Sequence, residues 1–101
     1  MSPLSPRAER GRPAALVDPK ELTAAERDWL RRIQMWRHYR VPGGYKMGGD
    51  PKRCTLAMAQ RLYTLGLVRF ERTAGRIMIA PTGNGNLTVA IMDERARQAR
   101  S

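Results

Sequence analysis

Arg53, Gln60, Arg61 and Thr64 stand at offsets that put them, with Ala57, on one face of a helix. A glutamine amide can pair in two places with an adenine edge, and a guanidinium with a guanine edge. Both groups serve a phosphate equally well, so the chemistry of this face is hydrogen bonding to a polyanion, with base or backbone left open. Arg69, Arg72 and Arg76 form a second cationic group around Thr73-Ala74-Gly75, and Arg7, Arg10 and Arg12 a third near the start of the chain.

Bond-breaking chemistry finds little support. Cys54 is the single cysteine and His38 the single histidine, too few for a disulfide or a zinc site of Cys and His ligands. No nucleophile stands beside a base, and no paired carboxylates suggest acid–base work, so neither an enzyme nor a metal or cofactor is expected. Gly43-Gly44 and Gly48-Gly49 fit neither a Walker A loop nor a dinucleotide fingerprint. His38, between Arg37 and Tyr39, reads as a surface residue at a helix end. Cys54, beside Lys52 and Arg53, reads as a packing residue in the first turn of a helix; the alternative is a thiol with a lowered pKa.

The charge balance agrees with a polyanionic partner. With 19 Lys+Arg against 9 Asp+Glu the net charge is +10, which favours nucleic acid first and acidic protein next. No apolar segment reaches the length of a signal peptide or membrane span. A soluble, cytoplasmic protein without a membrane partner is expected.

The elements that position these residues follow from local signals. Residues Met1 to Lys20 hold four of the seven prolines and no sustained apolar period, the pattern of a flexible basic arm. Thr23 and Glu26 have capping-box spacing, so a first helix starts there, with Ala25, Trp29, Ile33 and Trp36 inward and an end near His38–Arg40. The glycine-rich stretch from Val41 to Lys52 is loop, with a very short strand at Tyr45-Lys46-Met47. Asp50-Pro51 offers a cap and first position for a second helix that stops at Gly66. Leu67–Arg72 and Arg76–Ala80 read as a hairpin. A last helix follows Pro81, with Leu87, Ala90 and Ile91 as a thin apolar stripe.

This order resembles a winged helix-turn-helix domain, most closely that of MarR-type bacterial regulators. The likeness is carried by Leu22-Thr23, by Leu62-Tyr63-Thr64-Leu65-Gly66-Leu67-Val68 and by Ala80-Pro81-Thr82-Gly83. It implies an α+β fold of helix 1, loop, recognition helix, β-hairpin wing and C-terminal helix over residues 21–101, after the arm of residues 1–20. It further implies a transcriptional regulator or accessory factor of bacterial or phage type that binds double-stranded DNA. The recognition helix would lie in the major groove and the wing's arginines on the backbone. The family's helix ahead of the recognition helix has only the stretch from Arg40 to Lys52 to occupy, so it is expected to be very short or absent. Pairing through terminal helices, hence a homodimer, is a further implication. RNA binding and a protein-interaction role are the alternatives. Arg10-Gly11-Arg12-Pro13 also resembles the core of an AT-hook, which would lay Arg10 and Arg12 in a minor groove.

Overall fold

The computed structural model describes residues 16–100. The first helix, α1 (Ala24–Met35), starts as its capping box dictates: the Thr23 N–H donates to Glu26 Oε1 at 3.0 Å and the Glu26 N–H to Thr23 Oγ1 at 3.0 Å. Its buried meridian is Glu26, Trp29, Leu30 and Ile33. Ala25 and Trp36 are exposed, against expectation: Ala25 lies about a quarter-turn from the middle of this stripe, and Trp36 has already left the helix.

The helix ends at Met35, short of the expected His38–Arg40. Trp36 is already extended (φ −135°, ψ 153°), and His38–Val41 is a strand, β1. Pairing decides this: β1 lies antiparallel to β2 (Gly44–Lys46) on one side and to β5 (Arg76–Pro81) on the other. Pro42 and Gly43, the latter at φ +86°, take the two corners between β1 and β2, as a type II turn requires.

His38 is therefore buried (1% exposed) and not a surface residue. Its Nδ1–H donates to the Trp36 carbonyl at 2.9 Å, and its ring meets Trp29 edge-on at 6.0 Å. Burial pushes its pKa below the ordinary imidazole value. The unfolded chain then takes up a proton near pH 6.5 that the folded chain refuses. Thermal stability should hold above that pH and decline as the pH falls below it. A His38→Gln variant should lose this slope in melts run between about pH 7.5 and 5.

A third strand, β3 (Cys54–Thr55), pairs with β2, and the sheet order is β3-β2-β1-β5-β4, all antiparallel. Asp50 does not cap a helix as expected. Its Oδ1 accepts from the Lys52 N–H at 2.9 Å in a local turn, and the chain pairs as β3 before α2 (Leu56–Thr64) begins under a Thr55 cap. Arg53 thus precedes the helix instead of lying on it. Among the described residues no helix stands between α1 and α2.

The end of α2 is as read: Gly66 is left-handed (φ +78°), its N–H donates to the Tyr63 carbonyl at 2.9 Å, and the Leu67 N–H to Leu62 at 3.0 Å, a Schellman closure. Then β4 (Val68–Thr73) turns into β5 through Ala74 (φ 51°) and Gly75 (φ 77°), the paired positive angles of a type I′ turn. Because α2 touches β2, β3 and β4, the sheet curls so that both outer strands meet the same helix. Leu30, Leu62, Leu67, Val68 and Ile79 fill the core.

The last helix, α3 (Gly83–Arg100), is capped by Thr82, whose Oγ1 accepts from Gly85 N–H at 3.0 Å and donates to the Gly66 carbonyl at 2.7 Å. Its buried line is Gly85, Thr88 and Val89, while Leu87 and Ala90 of the expected stripe face solvent. Gly85 causes the rotation: without a Cβ it lies against the Leu67 carbonyl, and the helix approaches by that thin side. Thr88 Oγ1 also donates to the Val17 carbonyl at 3.1 Å, and Arg95 pairs with Asp18 at 2.8 Å, so Val17–Lys20 packs on the domain. Among the described residues the fold is α+β, with three α-helices, a short 3-10 turn at Pro19–Glu21 and a five-stranded antiparallel sheet, the class expected.

Candidate nucleic-acid interface

Most acidic side chains are already committed. Arg31 pairs with Asp93 at 2.6 Å, Arg32 with Asp28 and Asp50 at 3.3 and 3.4 Å, and Arg95 with Asp18. Arg61, expected on the free face of α2, donates from Nε to Glu26 Oε2 at 3.0 Å and joins α2 to the start of α1. The Glu26 carboxyl is held below its ordinary pKa, first by the Thr23 N–H and then by Arg61, against the opposing effect of burial. Arg69 is likewise occupied, by Glu71 and the Pro81 carbonyl.

Besides Lys20, Arg27, Arg37, Lys46 and Arg100, four arginines are left over. Arg40, Arg53, Arg72 and Arg76 have no carboxylate partner among the described residues, and all four stand at one end of the sheet. Topology brings them there. Since β1 runs antiparallel to both β2 and β5, with His38 opposite Ile79 and Tyr39 opposite Met78, the β1–β2 turn and the β4–β5 turn project from the same edge. Thr55 pairs with Gly44, so α2 also begins at this end, with its unpaired N–H groups.

Each arginine is held by its own neighbours. The Arg53 side chain lies along the β1–β2 turn, its Cδ and Nη1 3.7 Å from where a Gly43 Cβ would sit. The Arg76 guanidinium stacks 4.0 Å from the Tyr39 ring centre, and that of Arg40 lies 5.8 Å from Tyr45. Arg40 also donates to the Val41 carbonyl. Such contacts orient the groups without neutralising them, and oriented, unneutralised guanidinium is what phosphate recognition uses.

Of the residues singled out by spacing, Arg72 and Arg76 sit on the turn where they were expected, and Arg53 reaches the same end by a different route. Gln60 and Thr64 are exposed on α2 and bonded to each other at 3.3 Å. Arg61 and Arg69 are drawn into ion pairs, and Arg10 and Arg12 lie outside the described residues. Arg40 is the residue that spacing missed, although Pro42-Gly43 was a signal for the turn that presents it. Cys54 is buried, and desolvation pushes its thiol up to about 11, which removes the reactive-thiol alternative. The described residues contain no cluster of His, Cys, Asp and Glu fit for a metal, and no helix long and apolar enough to cross a membrane. Comparison with protein-family models, curated proteins and solved structures gives no match.

Proposed function

We propose that this chain is a non-catalytic nucleic-acid-binding protein whose partner is double-stranded DNA, serving as a transcriptional regulator or accessory factor. The observation that carries the reading is the convergence of Arg40, Arg53, Arg72 and Arg76, free of carboxylates, on one end of the sheet. Two turns and a helix start carry these charges at that end, Arg40 and Arg72 on one face of the sheet and Arg76 on the other, a cationic edge that suits a phosphate backbone. In this reading the β4–β5 hairpin serves as the wing of a winged-helix arrangement. The outer side of α2, with Gln60 and Thr64, supplies neutral polar contacts in the groove while the arginines hold the flanking strand.

The test is a titration of the full chain on random-sequence duplex DNA in competition with structured RNA, at about 50 and 200 mM salt. Duplex binding that weakens as salt rises is expected. Preference for the RNA, or affinity indifferent to salt, overturns the reading.

A further inference from the structure

Beside the arginines a line of rings runs from the core to the surface. Tyr45 stacks on Phe70 with centroids 5.6 Å apart, and Phe70 on Tyr63 at 5.2 Å, with interplanar angles of 22° and 30°. Arg40 lies over Tyr45 at the buried end, so the order is guanidinium, Tyr45, Phe70, Tyr63. Exposure rises along it, from 7% for Tyr45 through 37% for Phe70 to 50% for Tyr63. Phe70 is the only ring partner of Tyr63 among the described residues. The stack therefore begins in the fold and ends on an open aromatic face. Exposed Leu56, two turns earlier on the same side of α2, extends the apolar surface, and Arg72, on the same face of β4 as Phe70, borders it.

We infer that Tyr63, backed by Phe70, forms a stacking platform for an unpaired base, so that the preferred nucleic acid carries a single-stranded segment next to a phosphate held by Arg72. The inference rests on the nucleic-acid reading above and names its substrate class. Charge complementarity decides the occupant: an apolar partner protein gains nothing from the bordering Arg72 guanidinium, whereas a nucleotide offers a flat ring and an anion a few ångströms apart. Stacking on an exposed tyrosine works for every base, so the platform confers a preference for unpaired structure without a sequence code.

The experiment compares three probes by fluorescence anisotropy with the full chain: a blunt duplex, the same duplex with a single-stranded tail of about 12 nucleotides, and the tail alone. A 2-aminopurine in the tail reports stacking directly. The wild type should favour the tailed duplex. Tyr63→Ala should weaken tail binding about 5- to 150-fold, the equivalent of about 1–3 kcal/mol for one base, and leave the blunt duplex unchanged. Tyr63→Phe, which keeps the ring, should restore both affinity and the 2-aminopurine signal. Because Tyr63 is half exposed, a melt of each variant separates lost stacking from lost structure. Equal affinity of wild type and Tyr63→Ala for the tail sinks the platform while salt-sensitive duplex binding leaves the cationic edge standing. Binding of none of the three probes sinks both.

Discussion

Replacing Arg40, Arg53, Arg72 and Arg76 together by alanine should nearly abolish the salt dependence of duplex binding. Each phosphate neutralised contributes about −0.9 to the slope of log K against log salt, so four contacts give about −3.6. Between about 50 and 200 mM salt that is a loss of about 150-fold for the wild type. The alanine variant should be nearly flat over that range, and weak throughout. The fold should survive, since the guanidinium groups of Arg40 and Arg76 make exposed cation–π contacts of about 0.5–1 kcal/mol each and none of the four holds an ion pair. A variant with lysine at all four positions should keep most of the slope, because a phosphate contact needs charge more than a planar fork. Arg61→Ala provides the contrast. Its guanidinium is engaged with Glu26, so the salt slope should hardly move while stability falls by about 1 kcal/mol. A large slope change on losing Arg61 with little on losing the four would place the contact on α2 instead.

A Gly85→Ala substitution is expected to destabilise the fold by about 3–5 kcal/mol, a large part of the ~5–15 kcal/mol that holds a domain of this size. The added Cβ would overlap the Leu67 carbonyl oxygen and lie 3.1 Å from its carbon. Those atoms are backbone, fixed by the Schellman closure and by the Thr82 N–H, which donates to the same oxygen at 3.0 Å. The helix must retreat, and as it does Val89 leaves the core, Thr88 loses the Val17 carbonyl and Thr82 its bond to Gly66. Overpacking alone costs about 1–3 kcal/mol, and the broken bonds add to it. Gly83→Ala, two residues earlier, meets nothing within 4 Å and should be neutral or stabilising. Denaturant melts of the pair should show a loss of stability for Gly85→Ala alone if α3 is docked through Gly85; equal losses would contradict that contact.

Features decided within a few residues were legible in the chain. The Thr23 and Glu26 cap, the stop at Gly66 and the hairpin after Val68 each rest on contacts of at most a few positions, and each formed as read. Features decided by distant partners were not. Trp36 to Arg40 continues the helical period of α1, yet β5, some forty residues later, offers strand pairing that outweighs another helical turn. Asp50-Pro51 is a sound helix start locally, but β2 is close enough to take Cys54 and Thr55 into the sheet first. The candidate site divides in the same way. Arg72 and Arg76 were found because their own turn displays them, whereas the engagement of Arg61 depends on Glu26, 35 residues away, and the burial of His38 on a strand that helical periodicity concealed.

The curl of the sheet over α2 also bears on how the molecule behaves in a crowd. Unsatisfied strand margins template the addition of further chains, and that is how many small β-containing proteins begin to form fibrils. Here one margin is only two residues long, and the other carries Arg69, Glu71 and Arg72. With the same helix lying along both, recruitment of a neighbour's backbone has little to start from, and a concentrated solution should stay free of ordered aggregates.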